Sequence, residues 1–240
     1  MLKLCENISE LSFLPADPFC AKITALAMTY GFDMPHARFY TQGNSAAISA
    51  ADSCAVIYAD ESADFEEIKS FIGFLGSPTV QSSEKNLEKL GLKPNRGSYI
   101  VKYDGKEAVK PNNFTNEFEL KAVYNLLKSR NFSVGTYNSF AESICPRLCK
   151  GTALYGGIKE KELEACAFRL FDGQKSVLMG AVATAKEHEG KGLASSLVPY
   201  LASGGKETFL FCREDSLLEF YKKIGFSPWG RWAESDEVFI

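Results

Sequence analysis

Histidine is scarce in this chain, which limits the metal sites that it can build. Of its 240 residues only two are histidine, His36 and His188, and about 150 positions separate them. Cys145 and Cys149 together would supply two of the four ligands of a zinc site. The seven cysteines are an odd number, are scattered and include no CxxC pair, unlike the disulfide framework of a small secreted domain. We therefore expect reduced thiols and no metal.

Long apolar runs and an excess of one charge are also absent. No run approaches the roughly 20 apolar residues of a membrane-spanning helix, and the first ten residues, MLKLCENISE, lack the basic and then apolar plan of a signal peptide. With 27 basic and 30 acidic residues, the net charge of −3 offers no broad basic surface to a nucleic acid. We expect a cytoplasmic globular protein with neither a membrane nor a nucleic acid as its partner.

Hydrophobic periodicity and turn residues predict two halves with the same order of elements. In the first half we predict helices over 18–30, 65–75 and 84–90, and strands over 37–42, 45–50, 54–59, 79–81 and 99–103. A polar connector, 104–115, follows. In the second half we predict helices over 117–129, 139–148, 191–202 and 216–223, and strands over 152–158, 163–171, 176–184, 208–212 and 229–240. Each half is α+β, with a strand meander that ends in strand, helix and strand.

A direct comparison of the two halves supports a repeat. The segments 88–94 (EKLGLKP) and 222–228 (KKIGFSP) match in their apolar, glycine and proline positions at an offset of 134, as 225 − 91 shows. The alternative is two unrelated helices that each end at a glycine. We predict two domains, one over 1–104 and one over 105–240.

The segment after the strand 176–184 carries the clearest chemical signal. Gly190 and Gly192 lie in a turn that leads directly into a helix, so the first N–H groups of that helix have no intrahelical partner and attract an anion. Lys191 adds positive charge. A P-loop fits poorly because Gly192 stands where the motif needs Ser or Thr, and a dinucleotide motif fits poorly because Ser195 stands where it needs glycine. A phosphate site remains, with a loop that merely turns the chain as the alternative.

Two motifs resemble those of the GNAT (GCN5-related) N-acetyltransferases. The segment 189–194 (EGKGLA) resembles the family's acyl-CoA loop, and 220–226 (FYKKIGF) resembles its later helix. Both stand in the family's order. The resemblance covers about residues 116–240 and is fainter over 1–104, so it implies a tandem GNAT-like acyl-CoA N-acyltransferase fold, with a mixed twisted sheet flanked by helices and a degenerate first half.

The resemblance also assigns residues to acetyl-CoA as a cosubstrate, without a metal. It implies that Val182, Ala183 and Thr184 bind the pantetheine arm through their backbone. The loop residues Glu189, Gly190, Lys191, Gly192, Leu193 and Ala194 would surround the diphosphate. Glu189 departs from the family's Gln or Arg, and we expect its carboxylate to face solvent. Tyr221 would be the general acid for the CoA thiolate, because the pKa of a phenol is close to that of a thiol. The aligned residue of the first half is Leu87, which cannot donate a proton.

The implied reaction is transfer of an acetyl group to a primary amine of a small molecule or peptide, by direct attack in a ternary complex. The general base stays open among Glu142, Glu162, Glu164 and ordered water, and Arg147 and Tyr155 are candidates for contact with the acceptor. A non-catalytic module that binds or senses acyl-CoA is a different class that also fits, and a purely structural protein is a third. The acceptor and the oligomeric state are not predicted.

Overall fold

The computed structural model describes residues 1–51, 53–212 and 214–236. The first half contains β1 (Lys3–Leu4), α1 (Pro18–Tyr30), β2 (Ala37–Gln42), β3 (Ala46–Ala51), β4 (Cys54–Ala59), α2 (Phe65–Leu75), β5 (Thr79–Ser83), α3 (Glu84–Lys89) and β6 (Arg96–Tyr103). The second half contains β7 (Phe114–Thr115), α4 (Leu120–Ser129), α5 (Tyr137–Cys149), β8 (Leu154–Lys159), β9 (Leu163–Asp172), β10 (Ser176–Thr184), α6 (Leu193–Ala202), β11 (Glu207–Phe211), α7 (Leu218–Lys223) and β12 (Phe226–Ser235).

Every predicted helix and strand is present, and the α+β class is confirmed. Five elements agree with the prediction at both ends: α1, β2, β4, α2 and β10. Strand β11 is shifted by one residue, and α4 begins three residues later than predicted. The short strands β1 and β7 were not predicted, because two residues leave no periodic pattern. The last predicted strand ends at Ser235, and residues 237–240 of that prediction lie outside the described residues.

Local chemistry explains where several helices begin and end. The Asp17 carboxylate caps α1 by accepting the backbone N–H groups of Phe19 at 2.8 Å and Cys20 at 3.2 Å, and Pro18 fits the first position because no N–H is needed there. Gly76 ends α2 in the left-handed conformation at φ 61°, which glycine adopts without a steric penalty.

The twelve strands of the described residues belong to one sheet, in the order β1-β2-β3-β4-β5-β12-β6-β11-β10-β9-β8-β7. The pairs β4–β5 and β10–β11 are parallel and the remaining pairs are antiparallel. The two halves exchange their last strands: β12 lies beside β5 of the first half, and β6 lies beside β11 of the second. The sequence analysis did not predict this exchange. The division into domains at residues 104 and 105 stays a prediction, since one sheet runs through both halves.

Helices cover both faces of the sheet. On one face α1 lies at the centre, over a core cluster that includes Phe39 of the first half and Leu178 and Phe209 of the second. Helices α4 and α5 continue this face over β8 and β9. On the other face α2 and α3 pack against the first half, and α6 and α7 pack against the second. Adjacent residues of β6 mark the alternation, because Ile100 belongs to the α1 cluster and Val101 to the α6 and α7 cluster. In the described part of the chain, none of the helices combines the length and the hydropathy that a bilayer crossing requires.

Candidate active site

Strands β10 and β11 separate at their carboxyl ends, and this opens the site. Their parallel pairing ends at Met179 and Leu210, although β10 continues to Thr184. On its other edge β10 carries a bulge: Gly180 pairs with Phe168 of β9, but the next partner pair is Ala183 with Cys166. Two residues of β10 thus oppose one residue of β9, which bends the strand and removes part of it from the ladder.

The bulge also places a non-glycine residue in an uncommon conformation. Ala181 has a φ of 51°, in the left-handed region that alanine seldom adopts. Ala181 and Val182 line a cavity of about 260 Å³ at the gap, which we call the strand cavity. Backbone strain of this kind persists only where the surrounding structure imposes it, and it is concentrated at functional sites.

A second cavity of about 710 Å³, the loop cavity, lies between β10 and the start of α6. Eight of the nine residues predicted to bind the cosubstrate line it: Val182, Ala183, Thr184, Glu189, Gly190, Gly192, Leu193 and Ala194. The ninth, Lys191, is not among the lining residues, and its Nζ lies 3.3 Å from Nδ1 of His188. The two cavities share Phe132, Val182, Leu217 and Tyr221 in their walls and are therefore adjacent.

The start of α6 presents backbone donors to the loop cavity. Gly192 is the N-cap residue and supplies no side-chain cap, so the N–H groups of Leu193, Ala194 and Ser195 have no partner from within the helix. Gly190 and Gly192 have φ angles of 74° and 77°, and a Cβ at either position would meet no atom within 4 Å. Glycine is thus favoured by the turn's conformation, while the space beside it stays open to a ligand. These donors and the helix dipole suit a phosphate group.

Glu189 is half exposed, which agrees with the expectation that it faces solvent, but its side chain also has a partner within the protein. Its carboxylate forms an ion pair with the guanidinium of Arg130, which follows α4 and also lines the loop cavity. The Arg130–Glu189 pair neutralises the one acidic group that the loop motif introduces next to the free N–H groups at the start of α6. Sequence reasoning missed Arg130 because 59 positions separate it from Glu189 and it belongs to neither motif.

Tyr221 lies in the wall of both cavities, on α7. Its side chain is only 5% exposed and packs edge-on against Phe220 and Phe226, with ring centroids 5.2 and 5.7 Å away. Among the described residues none hydrogen-bonds to its hydroxyl, which leaves the proton available to a ligand. Burial, with a smaller effect from the Cys212 thiol, raises the pKa of Tyr221. The hydroxyl is therefore protonated at neutral pH, as a proton donor must be.

The strand cavity extends to the other face of the sheet and reaches the first half. Lys22 of α1 and Gln81 of β5 line it, together with Trp232 and Glu234 of the exchanged strand β12. Aromatic rings form much of the remaining wall: Phe132, Phe171 and Phe211. The Phe211 ring stacks on Trp232 with centroids 5.1 Å apart and planes 9° from parallel. Without the exchange of β6 and β12, Glu234 would not lie beside Gln81.

None of the three carboxylates considered as the general base lines either cavity. Glu142 and Glu162 are exposed, and Glu164 is buried with an oxygen 3.4 Å from His188 Nδ1. Among the described residues, Glu234 is the carboxylate in the wall of the strand cavity. It was missed because its strand was expected to stay within its own half.

Arg147 and Tyr155, suggested as contacts for the acceptor, are core residues instead. Arg147 is 5% exposed, donates to the backbone oxygens of Ser143 and Leu170, and lies over the Phe171 ring. Tyr155 is 3% exposed and packs among aromatic rings of the α4 and α5 face. Neither lines the loop cavity or the strand cavity, so their predicted contact with the acceptor finds no support. Within the described residues, no group of three or more His, Cys, Asp and Glu side chains could hold a metal ion.

Solved structures with a similar fold cover nearly the whole chain. A tandem GNAT protein from the clavulanic acid biosynthesis pathway matches over 100% of both chains, with 13% identity and a TM-score of 0.56. A GCN5-related N-acetyltransferase from Kribbella flavida matches 92% of this chain and 95% of its own, with 12% identity and a TM-score of 0.61. An acetyltransferase of the GNAT family from Colwellia psychrerythraea matches 98% of both chains, with 15% identity and a TM-score of 0.58. No protein-family profile and no curated protein sequence matches the chain. The structural likeness confirms the predicted fold.

Proposed function

We propose that this chain, which has the tandem GNAT acyl-CoA N-acyltransferase fold, is an acetyltransferase that moves an acetyl group from acetyl-CoA to a primary amine. One observation carries the proposal: free helix N–H groups, a bulged strand and a buried tyrosine hydroxyl meet at two adjacent cavities. The loop cavity has the backbone donors that a diphosphate requires. The strand cavity opens beside Tyr221, where the acceptor has room.

The residues present fit coenzyme A. The N–H groups of Leu193, Ala194 and Ser195 would hold the diphosphate, and the open space at Gly190 and Gly192 lets it approach the backbone. The edge of β10 from Val182 to Thr184, no longer paired with β11, would bind the amide groups of the pantetheine arm as an added strand. Bound acetyl-CoA supplies a thioester, whose carbonyl carbon bonds to the amine nitrogen as the C–S bond breaks.

Two side chains would move the protons. Tyr221 donates its proton to the departing thiolate and afterwards regains one from solvent. Glu234 takes the proton of the attacking amine through a water molecule. Backbone N–H groups at the bulge, Ala181 and Val182, would stabilise the negative charge that develops on the carbonyl oxygen.

The role of the first half follows from the walls of the strand cavity. Lys22 and Gln81 come from that half, so we propose that it forms part of the acceptor site. It carries Leu87, a fully buried hydrocarbon, where the second half has Tyr221, and we propose that it has no turnover of its own.

Calorimetry with CoA and turnover with acetyl-CoA over an amine panel test the function. Glycine, Asn and Asp are the residues that best tolerate the left-handed backbone found at Gly192. The variants Gly192→Asp and Gly192→Asn should therefore both keep the turn, and they differ mainly in charge. A carboxylate about 5 Å from one phosphate charge costs about 3 kcal/mol at an effective dielectric constant near 20. We expect Gly192→Asp to bind CoA at least ten-fold more weakly than Gly192→Asn. Gly205, with a φ of 84° and lining neither cavity, provides the control Gly205→Asp, which should bind normally.

The rival classes give different results. A sensor binds CoA with the same dependence on residue 192 but consumes no acetyl-CoA with any amine. A structural protein binds no CoA at millimolar concentrations. Either result would reject the proposed enzyme.

A further inference from the structure

A cation and an anion lie next to each other in the strand cavity. Lys22 Nζ donates to Gln81 Oε1 at 2.9 Å, and Gln81 Nε2 donates to Glu234 Oε1 at 2.6 Å. A single amide group therefore separates the ammonium from the carboxylate. Both neighbours require the same orientation of that amide, because a flipped amide would direct its N–H groups at the ammonium.

Lys22 has no acidic partner among the residues that the structure describes. Within the part of the chain that the structure describes, no carboxylate lies within 4.0 Å of its ammonium, and its other neighbour is the ring of Phe171, 5.4 Å away. Glu234, in contrast, has Arg96 as a partner, with Nε 3.3 Å from Oε2. The charges of Lys22, Glu234 and Arg96 sum to +1, and this net charge favours an anionic group in the cavity.

The remaining wall suits an apolar body of limited size. Phe171, Phe211 and Trp232 offer ring surfaces, and Leu170 and Leu178 add aliphatic surface. The volume of about 260 Å³ is smaller than the roughly 300–1,000 Å³ of pockets for drug-sized ligands. The occupant is therefore a small molecule with an apolar part.

We propose that the acceptor is a free amino acid with an apolar or aromatic side chain, an inference that rests on the proposed acetyltransferase function. Its carboxylate would bind the Lys22 ammonium, and its amino group would lie beside Glu234. The separation of the two charges by one amide group matches the short distance between the charged groups of an α-amino acid. A peptide N-terminus has a neutral amide in place of the carboxylate, and a polyamine would place a second cation near Lys22.

A matched pair of acceptors tests the assignment. L-phenylalanine and L-phenylalaninamide differ only in the group that Lys22 would contact, and CoA release is measured by chromatography. We expect the wild-type kcat/KM to be at least ten-fold higher for phenylalanine, mainly through KM. Lys22→Met keeps the aliphatic stem and should reduce that preference to less than three-fold, whereas Lys22→Arg should retain most of it. Lys121→Met, at an exposed position of α4 that lines neither cavity, should behave as wild type.

The outcomes separate this inference from the proposed function. Equal turnover of the two acceptors, unchanged in Lys22→Met, would overturn the role of Lys22 and leave the acetyltransferase standing. If no amine consumes acetyl-CoA, the proposed function fails, and calorimetry on the protein saturated with CoA still tests the site. Phenylalanine binding that Lys22→Met abolishes would support the site, and no binding at millimolar phenylalanine would overturn it.

Discussion

Removal of one hydroxyl group, in Tyr221→Phe, should separate catalysis from binding. The ring packs against Phe220 and Phe226, and phenylalanine preserves these contacts. Among the described residues the hydroxyl has no hydrogen-bond partner, so its loss leaves no protein group unsatisfied. We therefore expect the free energy of unfolding to change by less than about 1 kcal/mol.

The catalytic effect should be much larger. A positioned general acid contributes about 10² to 10⁴ in rate, so we expect kcat to fall at least ten-fold and by about 10² if proton donation limits the wild type. The Kd for CoA should stay within about three-fold of the wild-type value, because the N–H groups proposed to bind the diphosphate lie on α6 and not on α7. Since burial raises the pKa of Tyr221, its ionisation should not limit the wild-type rate between pH 6 and pH 9, about the range below the usual phenol pKa.

The assay is CoA release by chromatography under saturating acetyl-CoA, combined with calorimetry for CoA binding. Tyr155→Phe is a matched control, because Tyr155 is also buried but lines neither cavity. If Tyr221→Phe keeps more than a third of the wild-type kcat while Tyr155→Phe is normal, Tyr221 is not the general acid.

Three further predictions address other parts of the molecule. Arg130→Met leaves the Glu189 carboxylate unpaired beside the backbone N–H groups proposed to bind the diphosphate, and it should raise the Kd for CoA about ten-fold. Glu189→Gln should not weaken CoA binding in the same calorimetric titration. Burial raises the pKa of Asp17 to about 6. The protonated carboxyl therefore stabilises the folded state below pH 4, and this contribution is lost as the pH rises through 6. Between pH 4 and 7 the free energy of unfolding of the wild type, measured in urea, should fall by up to about 3 kcal/mol relative to that of Asp17→Asn. A Cβ at Gly97 would lie 2.6 Å from a backbone oxygen of β12, so Gly97→Ala should lower the Tm by about 6 °C. The control Gly230→Ala, whose Cβ would have its nearest atom at 3.9 Å, should leave the Tm unchanged. Equal Tm values for the two variants would contradict the packing of the exchanged strands.

Local features of the sequence were sufficient for the elements and for the loop. Strand β10 and helix α1 have the periodicity and end residues that set their bounds, and both lie where predicted. The turn at Gly190 and Gly192 was also recognisable, because glycine, a preceding strand and a following helix are neighbours in the chain. Predictions of this kind succeed because the residues that determine each feature are close together in the sequence.

The features that the sequence analysis missed depend on distant partners. Gln81 and Glu234 are 153 positions apart and meet only because β12 is exchanged into the first half. No local pattern distinguishes an exchanged strand from one that stays, since both bury the same alternating residues. The partner of Glu189 was hidden for the same reason, because Arg130 is a single surface arginine outside any motif.

A crystal structure of the protein with CoA would test the central claim most directly. We predict electron density for the diphosphate within hydrogen-bond distance of the backbone nitrogens of Leu193, Ala194 and Ser195, with the pantetheine arm along Val182 to Thr184 and the thiol beside the Tyr221 hydroxyl. CoA bound at any other place, or with its thiol away from Tyr221, would contradict the account.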